Sequence, residues 1–435
     1  MSAPGLLSDF TALRKQLREG SLTLRSYIDK TLDHLEKTEP VLKAFLPETI
    51  SKERLYKEAD ELLQRYPSPA SRPPLFGILT GVKDIFNVEG MPTLAGTRLP
   101  PEAFQGEEAE IVTRLKQLGV LILGKTVTTE FAYFYPGPTT NPVNPAHTPG
   151  GSSSGSAAAV AAGLCPLALG TQTIASINRP AAFCGITGFK PSYGKIPLRG
   201  VFPFSRSADH AGFFTPDAEG MEQVCRAVLK NWKSHPDINT PLHIGVPAEE
   251  YLQQAEKEAL ASFRKTLQYL QTQGCIIKHY PLFKNIKRFN ADHTSLISAE
   301  FAQNHEMYIH SYGRLYSRPS QSLYEQGKQQ DLNNITSIRE FQLSARKEIA
   351  SIMYHENIDI WLTPSAAGPA PKGLSSTGNP KMSLPWTFTG VPSLTIPAST
   401  AKNGLPLGLQ ITAQYKGDEK ILAAGKALEK MLKSS

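Results

Sequence analysis

The 435-residue sequence contains only four cysteines, Cys165, Cys184, Cys225 and Cys275. They lie far apart, with no CxxC pair and no zinc-ligand spacing, so neither a disulfide framework nor a structural zinc site is expected. They read as reduced core residues. The N-terminus, MSAPGLLSDFTALRKQLREG, lacks an apolar h-region and brings in charge by Arg14, so no signal peptide is read there. Long apolar runs are missing too. The least polar stretch, Ser156 to Leu169, is too short and too rich in small residues to span a bilayer. A cytoplasmic protein without a membrane partner is therefore expected. No basic stripe concentrates the formal charge of +7, and the densest cluster is Lys284, Lys287 and Arg288. That dispersion argues against a nucleic-acid partner. What is present is an ordinary globular composition, 40% hydrophobic and 20% charged, long enough to bury a core without a staple.

Periodicity gives an α/β reading. Leu24, Ile28, Leu32 and Leu35 mark an amphipathic helix over 22–38, with Pro40 just beyond its expected end. A Pro- and Ser-rich stretch, Tyr66 to Pro74, separates this arm from Gly77-Ile-Leu-Thr-Gly-Val-Lys83, a short buried strand ending on a lysine. Residues 110–118 return to helical spacing, Gly119 stops them, and Val120 to Leu123 is an apolar strand. The same helix–Gly–strand order recurs through Leu260, Phe263, Leu267 and Leu270, then Gly274, then Cys275 to Ile277. Further strands are expected at 243–246, 358–362 and 393–396. Such alternation predicts a sheet wrapped by helices.

Pro149-Gly-Gly-Ser-Ser-Ser-Gly-Ser156 has the composition of a flexible linker. Its continuation, Ala157 to Gly163, is a small-residue helix that can pack only inside a core, so the turn reads as a site that presents hydroxyls and backbone N–H groups. Downstream, Ser176 falls in a bend, with Pro180 expected to keep a simple helix from running through. A serine nucleophile needs a base. His147 and His210 have no GxSxG elbow to support a triad and read as structural. A lysine made neutral by burial is the other available base, and Lys83 in Gly81-Val-Lys-Asp84 is the best-placed candidate.

These three segments together resemble the amidase signature family. Phe183 to Ser192, Gly200 to Pro203, Leu362 to Pro364, Trp386 to Pro392 and Gly404 to Gln410 look like the family's continuation. The resemblance implies a single α/β amidase domain over 1–435, a mixed, twisted central sheet covered by helices. Within it lie an N-terminal helical arm (1–65), a catalytic core (75–230) and a polar, helical stretch (284–350) as candidate cap. It implies Ser176 as nucleophile, Ser152 as the bridging serine whose own peptide bond is cis in the family, and Lys83 as terminal base. Ser153 matches the neighbouring hydroxyl. The backbone N–H groups of Thr173, Ile174, Ala175 and Ser176 match the oxyanion hole. The implied chemistry is amide hydrolysis through an acyl-enzyme, with no metal or organic cofactor.

Two departures bear on activity and substrate. Ile174 and Ala175 stand where the family has two glycines, so either the loop holds an ordinary φ at 174 or the oxyanion hole is altered. Gln172 replaces the commoner Asp. Arg179 stands where many relatives have an aliphatic residue. In a malonamidase-like subgroup an arginine there binds a substrate carboxylate; the alternative is a structural arginine. Arg199 and Arg206 are weaker anchors. Tyr133, Phe134 and Tyr135 fall in a segment that lines the cleft in relatives, although core packing explains aromatics equally well. The expected partner is a small amide, and a homodimer is a candidate assembly. The rival readings are the glutaminase subunit of a tRNA-dependent amidotransferase and a catalytically impaired homologue that binds without turnover.

Overall fold

The computed structural model describes residues 9–233 and 239–433. Among the described residues ten strands form one sheet: β1 Leu79–Lys83, β2 Leu121–Thr126, β3 Leu167–Gln172, β4 Thr187–Lys190, β5 His210–Thr215, β6 His243–Val246, β7 Ile276–His279, β8 Ile360–Pro364, β9 Ser393–Thr400 and β10 Pro406–Thr412. Their order is β2-β1-β3-β5-β4-β9-β10-β8-β6-β7. The flanks are parallel, with β1 beside β2 and β3, and β6 beside β7 and β8. The centre, from β3 through β5, β4, β9 and β10 to β8, is antiparallel. This is the sheet wrapped by helices that the periodicity predicts, with the mixed strand directions that the family resemblance implies.

The N-terminal stretch forms helices Phe10–Glu19, Leu24–Leu42 and Lys52–Arg65. The second runs past its expected end and contains Pro40. Pro40 cannot bond the carbonyl of Glu36 four residues back and its ring crowds that carbonyl, and the helix runs only two residues further. Lys43, in the left-handed conformation, ends the helix by donating its N–H to Glu39 O. The helix–Gly–strand units are present as Glu110–Gln117, Gly119 and β2, and as Lys257–Thr272, Gly274 and β7. Both glycines have positive φ, 90° and 91°. Residues 284–350 fall on helices Ile286–Tyr312, Arg318–Lys328 and Leu332–His355.

The Gly/Ser turn leads into helix Ser154–Ala161, whose residues 154–160 are all buried. The helix lies so close to β2 that a Cβ on Gly155 would stand 2.4 Å from the backbone nitrogen of Val127 and 2.2 Å from Ala44 O. Small residues here let the chain bring its hydroxyl-bearing turn against the ends of β1 and β3.

Candidate active site

Lys83 closes β1 and is fully buried. Its Nζ donates to Ser152 Oγ at 2.7 Å and to Thr171 Oγ1 at 2.8 Å. No carboxylate pairs with it among the described residues; the acid next to it in sequence, Asp84, pairs instead with Lys125 at 2.8 Å. Burial therefore holds Lys83 well below the usual lysine range, opposed only by the field of Asp209. A neutral amine is both donor and acceptor, which a proton relay requires.

Ser152 follows a cis peptide bond from Gly151. Its carbonyl accepts the N–H of Thr129 at 3.2 Å. Ser153 Oγ bonds the carbonyl of Thr171 at 3.2 Å and its N–H at 3.3 Å, which ties the turn to the end of β3. Thr171, the second hydroxyl on Lys83, has no motif to announce it; only the pairing of β1 with β3 brings it there.

After β3 the chain forms the loop Thr173–Ser176 and then helix Asn178–Cys184. Pro180 does not prevent this helix. It sits in the first turn, where a missing N–H costs little. Gln172 holds the loop from beneath: its Oε1 accepts the amides of Ile177 and Asn178 at 2.8 and 3.0 Å, and its Nε2 donates to Thr387 Oγ1 at 2.9 Å. Thr387 in turn donates to Ile174 O at 2.6 Å. The N–H groups of Thr173, Ile174, Ala175 and Ser176 have no protein acceptor among the described residues. Neither Ile174 nor Ala175 has a positive φ, so the β-branched side chain is accommodated without backbone strain. Ser176 is 6% exposed.

Arg179 links the two halves of the site. Its Nη2 donates to Gly151 O at 2.7 Å and to Thr377 Oγ1 at 3.0 Å, and its Nη1 to Gly378 O at 2.5 Å. It forms no ion pair among the described residues, its Nε has no partner, and burial pushes it down to about 9. Tyr133 is half-buried, with ring centroids 4.6 Å from Phe134 and 5.6 Å from Phe204, and burial raises its phenol. Tyr135 is half-exposed. Arg199 lies at the surface, 3.9 Å from Glu107. Arg206 is exposed and reaches Asn304. His147 Nδ1 lies 2.8 Å from Ala370 O, and His210 Nδ1 lies 2.6 Å from Ala208 O; neither touches a serine of the site. Among the described residues no His/Cys/Asp/Glu group could hold a metal ion, and no helix is long and apolar enough to cross a membrane.

Among the described residues, a buried lysine without a carboxylate partner thus donates to Ser152 Oγ, and the amides of the loop that carries Ser176 have no protein acceptor. The sequence matches the Amidase family over residues 26–422, and the chain belongs to that family, hydrolases acting on C–N bonds. It is similar to the Glutamyl-tRNA(Gln) amidotransferase A subunit of Synechococcus sp. (strain RCC307), 28% identical over 456 residues and covering 93% of each chain. A crystal structure of an amidase superposes with a TM-score of 0.88 at 30% identity, over 98% of this chain and 100% of the other. A chain from a vestigial protein complex, solved in connection with the origins of an s-triazine catabolic enzyme, gives 0.85 at 26% identity, over 97% and 98%.

Proposed function

We propose that the protein hydrolyses a small, carboxylate-bearing amide through an acyl-enzyme on Ser176. The observation that carries this reading is the 2.7 Å contact between buried, unpaired Lys83 and Ser152. Neutral Lys83 takes a proton through Ser152 as Ser176 Oγ attacks the carbonyl carbon. The amides of residues 173–176 receive the oxyanion, each such donor being worth about 3 kcal/mol. The proton then returns along Ser152 to the leaving nitrogen, the C–N bond breaks, and water releases the acid from Ser176. Ser153 and Thr171 hold Ser152 and Lys83 in line.

Arg179 supports an anionic substrate. A guanidinium buried without an acid partner is costly, and a substrate carboxylate would supply the missing charge. Its hydrogen bonds to Thr377 and Gly378 would then be exchanged for bonds to the carboxylate. Tyr133 is assigned to the rim of the acyl pocket. A glutaminase role within an amidotransferase is the second reading, favoured by the amidotransferase relatives; it requires partner subunits.

Ammonia release from malonamate, biuret-like ureas, aliphatic amides and glutamine, with wild type and Ser176→Ala side by side, tests both readings. Serine-dependent release that is greatest for acidic amides is expected. Release from glutamine alone would favour the second reading, and equal release by Ser176→Ala would overturn both.

A further inference from the structure

Two buried carboxylates outside the proposed chemistry close on one short stretch of backbone, Phe204 to Asp209, just ahead of β5. Asp209 turns back on that stretch: its Oδ2 accepts the amides of Phe204 and Ser205, both at 2.9 Å. Its Oδ1 accepts Thr173 Oγ1 at 2.5 Å. Thr173 is the first residue of the loop that carries the proposed oxyanion donors. From the opposite side comes Glu300, on helix Ile286–Tyr312. Its Oε2 accepts Ser205 Oγ at 2.7 Å and Ser207 N at 2.9 Å, and its Oε1 accepts Ser207 Oγ at 2.7 Å. Arg339, on helix Leu332–His355, completes the set at 2.5 Å. Asn304 adds a bond to Phe204 O at 3.1 Å.

All four carboxylate oxygens are engaged by the protein, so neither acid is left to receive a ligand. The N–H groups of residues 173–176 have no protein acceptor among the described residues, and donors of this kind work only when placed beforehand. The C-terminal side of the loop is tied at its carbonyls, Ala175 O to Arg179 N at 3.0 Å and Ile174 O to Thr387 Oγ1 at 2.6 Å, and its first residue, Thr173, through its side chain to Asp209. We infer that Asp209 and Glu300 are positioning residues, which brace the oxyanion loop against the helices of residues 286–355. This rests on the assignment of residues 173–176 as the oxyanion hole. A displacement on the order of 1 Å at such a loop costs about a hundredfold in rate, so the brace acts on the acylation rate, whereas a merely structural acid would act on the melting temperature alone.

The test uses the full chain, a small fluorophosphonate as serine probe, and mass spectrometry to locate the label. Glu300→Gln and Thr173→Val are each expected to slow labelling of Ser176 by about tenfold or more. Thr173→Ser, which keeps the hydroxyl, regains most of the rate lost by Thr173→Val. In the double variant the effects do not multiply, because both cut the same brace. Full-rate labelling in both single variants, or independent multiplying effects, would overturn the inference. Should Glu300→Gln fail to fold, Ser207→Ala removes one hydroxyl from the cluster and is read in the same way. If wild type is not labelled at Ser176, the acyl-enzyme reading fails by itself. The brace is then judged by hydrogen exchange of amides 173–178 in Glu300→Gln: faster exchange supports it, and unchanged exchange overturns it.

Discussion

Asp84 pairs with Lys125 at 2.8 Å, and both side chains are sealed from water, at 1% and 0% exposure. Lys125 also donates to Pro92 O at 3.1 Å and Thr93 Oγ1 at 3.0 Å, while the other oxygen of Asp84 takes the amide of Leu94. The carboxylate adjacent to Lys83 in sequence is thus neutralised elsewhere, and among the described residues the hydrogen-bond partners of Lys83 are hydroxyls. Replacing Lys125 by Met strands Asp84 as an uncompensated buried charge, a loss of about 3–5 kcal/mol. Asp84→Asn in the same background should recover much of it. Urea unfolding of wild type and the two variants measures this, and a Lys125→Met protein as stable as wild type would contradict it.

Lys83→Met should nearly abolish turnover and leave the melting temperature at or above that of wild type, since it removes an amine whose burial is unfavourable. The sign for pH follows from the lowered pKa. The unfolded chain binds a proton that the folded chain does not, so in the window between the two pKa values stability rises with pH. Lys83→Met should flatten that rise. A variant that unfolds early while wild type shows no such slope would count against a neutral Lys83.

The activity profile carries the same sign. The relay needs the neutral amine, so kcat/KM should fall as pH drops through the Lys83 pKa, on a limb below the usual lysine range. A limb at the ordinary lysine position would mean that the amine is charged at neutral pH.

Arg179→Ala should raise KM for acidic amides about tenfold or more, as expected for loss of a charge-assisted contact, with a smaller effect on neutral amides. The comparison is needed because Arg179 also holds Gly151 O. Equal losses on both classes would leave it a purely structural link.

Ile174→Gly should lower stability by about 1 kcal/mol or more, through backbone entropy and through loss of the isoleucine's packing against the core, because the loop has no positive φ for glycine to relieve. It should also widen the range of acyl groups accepted. A narrower range or loss of folding would show that the isoleucine is needed for packing alone.

Strands β1, β2, β6, β7, β8 and β9 were legible as short apolar runs between turn signals. Strands β3, β4, β5 and β10 were not, because the antiparallel centre is built with glycine and polar residues at close quarters. A Cβ on Gly170 would lie 2.6 Å from Phe214, and one on Gly212 would lie 2.2 Å from Phe189 O. The Lys83, Ser152 and Ser176 segments stood out in the sequence because together they resemble the family's motifs, not because any one of them is distinctive alone. Thr171, Asp209 and Glu300 carry none: a threonine in a strand and two acids far apart acquire meaning only when β1, β3 and the helix Ile286–Tyr312 converge. Pro40 and Pro180 misled in different ways: Pro180 sits in a first turn, where a helix tolerates it, whereas Pro40 sits in a last turn, and its helix runs only two residues beyond it.

In the proposed relay Lys83 drives acylation of Ser176 through Ser152. The most direct measurement is the rate and position of fluorophosphonate labelling in wild type and Lys83→Met, followed across pH. A single label on Ser176 is expected in wild type, formed faster as pH rises through the lowered lysine pKa, and almost none in Lys83→Met. Labelling at another residue, or undiminished labelling of Ser176 in Lys83→Met, would contradict it.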